Sequence, residues 1–279
     1  MNVASASASA RSRQQAAGHI TALRAVAAAE WTKIWTVRST LLTLLLTLAL
    51  GAGLGYLVGA GVAGGFTHMT PQQQETFDPL FATFYSLTLG QLPLVVFGVL
   101  LVGTEYTSGT IKVSLAAVPR RGLFYGGKAL AGLLTALCTS VVTVAATFFA
   151  AQAGLGPYAT SLGAEGVPQA VVGACLYLTL ICVFAMGVAA MLRGSTGPLA
   201  ILLPLLFLGS QGLGNVPGLK KVTQYLPDQV AAVIMHLAGP PGDPRFSRDF
   251  DAWTGMGILG LWVVLALAGG YLVLRRRDA

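Results

Sequence analysis

Residues 41–61 read Leu41-Leu-Thr-Leu-Leu-Leu-Thr-Leu-Ala-Leu-Gly-Ala-Gly-Leu-Gly-Tyr-Leu-Val-Gly-Ala-Gly61, a run without Asp, Glu, Lys, Arg or His. At a rise of about 1.5 Å per residue, a helix of this length covers the roughly 30 Å hydrocarbon core of a bilayer. Inside lipid a helix also satisfies its own backbone hydrogen bonds. Working outward, residues 81–103, 129–151, 168–192, 198–214 and 253–274 are also apolar and uncharged. None alternates apolar and polar residues as a barrel strand does. The predicted fold is all-α, an integral membrane protein with six transmembrane helices. A chain that is 54% hydrophobic and 10% charged, with mean hydropathy +0.71, leaves little material for a soluble domain.

Orientation follows from the basic residues, because Lys and Arg near span ends resist translocation. Arg11, Arg13, Arg24, Lys33 and Arg38 precede the first run, and Lys112, Arg120, Arg121 and Lys128 follow the second. Arg193 follows the fourth, and Arg275, Arg276 and Arg277 close the chain. Only Lys220, Lys221, Arg245 and Arg248 fall on the other side, in one loop. Both termini are therefore expected in the cytoplasm. The net charge of +7 is accounted for by this bias and by anionic headgroups, so no nucleic-acid partner is expected. Cys138, Cys175 and Cys182 lie in the apolar runs and suggest neither disulfides nor a metal site.

Three regions are expected. Residues 1–18, with their Ala-Ser alternation, read as a disordered cytoplasmic tail. Residues 19–38 read as an interfacial amphipathic helix, with Ile20, Leu23, Ala27, Trp31 and Ile34 on one face and Glu30 and Lys33 off it. Residues 39–279 form the six-span domain. Within it, residues 215–252 are expected outside, with a re-entrant or interfacial helix over 229–238, capped by Asp228 and ended by Gly239. Gln91, Pro93, Pro198, Pro204 and Gln211 are polar or kinking positions, assigned to helix packing.

The connection Thr104-Glu-Tyr-Thr-Ser-Gly-Thr-Ile-Lys-Val-Ser-Leu-Ala-Ala-Val-Pro-Arg-Arg121 is too polar for lipid and patterned like a short cytoplasmic helix. Ser108 or Thr110 can cap that helix, and Pro119 can end it. A short helix joined rigidly to two spans is a mechanical handle for a cytoplasmic partner.

The string Glu105-Tyr106-x-x-Gly109-Thr110, followed by Leu115, Pro119, Arg120 and Arg121, resembles the coupling segment of ABC-2 type permeases, the membrane subunits of ATP-binding-cassette exporters. Residues 29–40, Ala-Glu-Trp-Thr-Lys-Ile-Trp-Thr-Val-Arg-Ser-Thr, resemble the segment before the first span in that family, particularly in its actinobacterial members. The resemblance implies a multi-pass protein of the bacterial plasma membrane. It implies pairing with a second permease copy, likewise in the bilayer, and with a separate ATP-binding subunit that holds ATP and Mg. Glu105, Tyr106, Gly109, Thr110, Leu115, Pro119, Arg120 and Arg121 would form the ATPase-coupling surface. Glu30, Trp31, Lys33 and Arg38 would lie near the same docking face. No substrate residue carries over.

No enzymatic activity is expected of this chain, and no cofactor or metal bound by it. Residues 122–129 have the spacing of a phosphate loop, but Ala129 stands where Mg²⁺ needs a hydroxyl, and no strand precedes them. His19, His68 and His236 are scattered, without the pairing of a metal site. Two other functions are open. An ion-coupled secondary transporter would need an ion-binding group within its spans, and a non-transporting anchor or signalling subunit would need a partner-binding domain.

Overall fold

The computed structural model describes residues 24, 27–118, 120–210, 212, 215–216, 218–243 and 246–276. Among them the regular secondary structure is all helical, with no strand. The expected tail 1–18, together with Ile20, Leu23, Pro119 and Gln211, lies outside the described residues.

Helix α1 occupies 27–36. Val37 then adopts an extended conformation (φ −90°, ψ 115°) and redirects the chain into α2, Arg38–Gly65. The amphipathic segment is thus a separate helix, joined to the first span through one extended residue. Its buried side differs from expectation: Ile34 is buried as predicted, but so is Glu30, while Trp31 is exposed. A carboxylate prefers the interior over an indole here because ammonium partners await it, as described below.

Two short helices, α3 (Pro71–Glu75) and α4 (Pro79–Tyr85), lead to α5 (Leu87–Thr107). Both are entered at a Pro at their first position behind a capping side chain, Thr70 for α3 and Asp78 for α4. Helix α6 (Thr110–Ala117) precedes the long α7 (Arg121–Leu155), and α8 (Val167–Leu192), α9 (Thr196–Ser210), α10 (Lys220–Thr223) and α11 (Ala252–Arg276) follow. Five stretches are long and apolar enough to cross a membrane: Arg38–His68, Pro79–Thr107, Arg121–Tyr158, Val167–Leu192 and Ala252–Arg276. The expected span at 198–214 corresponds to α9, whose 15 residues make it shorter than the others. Two helices are longer than the uncharged runs suggest and take in Glu105 and Lys128.

Helix α2 packs on α7 and α5, and α8 packs on α5, α7 and α11. Close approach is set by glycines. A Cβ at Gly154 would lie 2.4 Å from the Tyr56 carbonyl oxygen, and one at Gly59 would lie 2.5 Å from that of Ala151. The backbones of α2 and α7 therefore touch, as helices do in lipid, where packing rather than hydrophobic exclusion holds them. Between α10 and α11 the expected helix at 229–238 does not form. Residues 227–236 wind through turns, and His236 sits at φ 59°. The segment is shaped by what covers it: Val230, Ala231 and Ile234 are buried, and Ile234 fills the space over Gly173 of α8. Tertiary packing overrides the local helical preference. Asp228 meets the side chain of Gln229, whose Nε2 donates to its Oδ2 at 2.6 Å.

Candidate functional site

Four charged side chains meet where α1, α5 and α7 converge. Lys33 of α1 donates to Glu30 Oε1 at 2.9 Å and to Glu105 Oε1 at 2.5 Å. Lys128 of α7 donates to Glu30 Oε2 at 2.7 Å and lies 3.0 Å from Glu105 Oε1. It also reaches the Leu101 carbonyl at 3.3 Å. The side chains of Glu30 and Lys128 are each 3% exposed, Glu105 is 9% exposed, and Lys33 is half-exposed. The cluster holds two positive and two negative groups, so it is buried without net charge. Glu105 Oε2 alone has no hydrogen-bond partner.

Each position follows from helical geometry. Glu30 and Lys33 stand one turn apart on α1, which puts both on the side facing α5 and α7. Glu105 is near the C-terminus of α5, and Lys128 is two turns into α7. Burial by itself would raise the Glu30 carboxyl, but the Lys128 ammonium and then Lys33 outweigh it and hold the group below its ordinary range. Burial by itself would lower Lys33, yet its bonds to Glu105 and Glu30 raise it.

Beside the cluster, a groove of about 360 Å³ runs between α1 and α6, lined by Glu30, Lys33, Glu105, Thr110 and Val113 among others. Helix α6 hangs from α5 by Gly109, which adopts φ 71° and is itself the N-cap residue. The N-cap residue is Gly109 rather than the expected Ser108 or Thr110, because the left-handed turn there redirects the chain, but Ser108 Oγ still accepts from the Thr110 N–H at 3.5 Å, and the two hydroxyls bond to each other at 2.9 Å. On α6, Ile111 packs with Phe124 and Leu274, and Leu115 lies against them, while Val113 points outward, 72% exposed.

The remaining predicted positions divide. Tyr106 receives Arg193 over its ring at 5.7 Å. Arg121 donates to the Leu274 carbonyl at 2.6 Å and so closes the end of α11. Arg120 is the N-cap residue of α7. Arg38 opens α2 as an exposed residue, and Trp31 packs beside Trp35. Lys128 is absent from the predicted set. A lysine at the head of an apolar run must find a partner, but in the sequence Lys128 counts only among the basic residues that follow the second run. Residues 122–129 are helical within α7.

The family model for the ABC-2 family transporter protein matches residues 24–279. The chain belongs to the ABC-2 transporter family. This ABC-2 protein is accordingly a multi-pass membrane component of a transport system. No curated protein matches it. Among the described residues of the ABC-2 protein, no group of His, Cys, Asp or Glu is arranged to hold a metal ion.

Proposed function

We propose that the chain is the permease subunit of an ATP-driven exporter, acting as a dimer and coupled to a separate ATP-binding subunit through α1 and α6. In this reading α9 completes a sixth crossing and both termini face the cytoplasm of a bacterial plasma membrane. The observation that carries it is the cluster Glu30, Lys33, Glu105 and Lys128. It fastens α1, a helix outside the bundle, to the ends of α5 and α7.

The mechanics follow from that attachment. A partner pushing on α6 meets the exposed Val113 and moves a short lever hinged at Gly109 on α5. Movement of α1 cannot leave α7 behind without separating Glu30 from Lys128, both buried, and losing one partner of such a pair costs about 3–5 kcal/mol. The cluster thus transmits displacement as a unit. In proteoliposomes with the ATP-binding subunit, Glu105→Gln should leave assembly intact and lower ATP-driven transport. Gly109→Pro should also lower transport, because proline cannot adopt the left-handed turn held here and α6 would lose its fixed attachment to α5. Normal transport in both variants, with normal assembly, contradicts the proposal.

A further inference from the structure

Toward the end of α5 opposite Glu105, about 21 Å along the helix at about 1.5 Å per residue, Gln91 borders a chamber of about 250 Å³. Tyr177 of α8 borders it too, and its hydroxyl donates to Gln91 Oε1, so this polar pair is satisfied. Asp228 and Arg248 face the same chamber from the segment between α10 and α11, and Phe81, Leu237 and Phe246 add apolar walls. At about 30 Å³ for each water-sized group, the space holds about eight of them, the scale of one small organic molecule.

Asp228 is 7% exposed and Arg248 is 2% exposed. Hydrogen bonds fix both. Asp228 Oδ2 accepts from Gln229 Nε2 at 2.6 Å and lies against α9, where a Cβ at Gly209 would fall 1.5 Å from it. Arg248 donates from Nη1 to Asn215 Oδ1 at 2.7 Å and to the Phe246 carbonyl at 3.2 Å, and from Nη2 to Gln229 Oε1 at 3.1 Å. The Gln229 amide thus bridges the two charges. One atom of each is left over: Asp228 Oδ1 and Arg248 Nε are buried without a hydrogen-bond partner. A buried polar atom left unpaired is costly, and more so on a charged group. Burial raises the Asp228 carboxyl to about 6, so it is ionised at neutral pH at the expense of stability. A charged pair maintained at such a cost is a mark of a binding site.

We propose that the chamber binds a small zwitterion of the α-amino-acid class, its ammonium on Asp228 Oδ1, its carboxylate on Arg248 Nε and its apolar side chain against Phe81, Leu237 and Phe246. The leftover acceptor is anionic and the leftover donor cationic, so only a ligand with both charges gives each a charge-assisted bond. One amide separates the two protein charges, much as one carbon separates those of an α-amino acid. A simple cation would satisfy Asp228 and meet the Arg248 guanidinium. A simple anion would do the reverse. The larger cavity of about 890 Å³ shares Phe81, Leu237 and Phe246 with the chamber and supplies the way in. The inference adds a ligand to the permease reading and does not depend on how the permease is driven.

The test uses three ligands with one apolar body: leucine, isoamylamine, which lacks the carboxylate, and isocaproate, which lacks the ammonium. Tritiated leucine is titrated at neutral pH onto the full chain in nanodiscs of zwitterionic lipid, with binding to empty nanodiscs subtracted, and the other two compete with it. Leucine should bind saturably, and each competitor should bind at least about tenfold more weakly, having lost one charge-assisted bond. Asp228→Asn keeps the side-chain shape and should weaken leucine about tenfold while leaving isocaproate undiminished. No saturable leucine binding, the result for a chamber that holds only water, overturns the proposal. So does a competitor that binds as tightly as leucine, or an Asp228→Asn variant that binds leucine like the wild type. The comparison of ligands needs only the wild-type chain, so it decides the matter even where the variant fails to fold. No nucleotide or ATP-binding subunit is present, so failure here rejects the ligand and leaves the permease reading to the transport assay.

Discussion

Replacing Lys128 by methionine keeps the length of the side chain and removes its charge. Two carboxylates then remain at a site where Glu30 and Glu105 are nearly closed to solvent. Removing one partner of a buried pair costs about 3–5 kcal/mol. Lys33 still reaches both acids, so the lower figure applies. For a chain of this size about 3 kcal/mol corresponds to a fall in melting temperature of about 6–12 °C. A thiol-reactive dye can follow it in detergent in a background with the exposed Cys138 replaced by Ser, since Cys182 is buried until the bundle opens. Glu30→Gln should fall by a similar amount, and Glu30→Gln/Lys128→Met should recover about half of the summed loss, because Lys33 and Glu105 still pair. Glu30's contribution is complete above its ordinary value of 4.5 and is lost as pH falls through its lowered one. That of Lys33 is complete below 10.5 and is lost as pH rises through its raised one. The Lys128 effect should therefore be flat from about pH 6 to about pH 9. Single variants within about 2 °C of wild type, or strict additivity in the double variant, would refute the coupling of these charges.

Gly154→Val should lower the melting temperature sharply, since its Cβ meets the Tyr56 carbonyl, whereas Gly53→Ala, with open space around it inside α2, should not lower it. Burial raises the Asp228 carboxyl to about 6, so stability should decline as pH rises from about 4 to about 6, and Asp228→Asn should remove that decline in a pH series of melting curves. Single cysteines at Gln73, Ser161 and Ser247 should react with an impermeant thiol reagent in intact cells, and one at Ser114 should not; the reverse pattern would invert the topology. The purified chain should show no ATP turnover above that of a mock preparation, and activity that persists through repurification would contradict this.

Much of the fold was legible because apolar length is a local property of a membrane chain. The all-helical architecture and the spans around α2, α5, α7, α8 and α11 follow from uncharged runs alone. The short helix α6 within Glu105 to Arg121 was legible from the polarity of the segment. What the sequence concealed depends on partners distant along the chain. Lys128 and Glu30 are 98 residues apart, and nothing local to Glu30 shows that it turns inward, away from the face its apolar neighbours define. Arg121 belongs by spacing to the handle and by contact to the end of α11, 153 residues away. The 229–238 segment has helical composition, yet its contact with α8 at Gly173 sets its path. Pairing of His236 with Asp78 likewise joins two loops that sequence reading treated separately.

The central claim is that α6 meets the ATP-binding subunit and passes its motion to α5 and α7. A photoreactive amino acid at the exposed Val113 of α6, in the purified complex, tests it most directly. Irradiation should yield one covalent adduct between the permease and the ATP-binding subunit, and the same group at Val222, on α10 at the far end of the protein, should yield none. An intact complex that forms no adduct at Val113, or that forms one at Val222, would contradict the account.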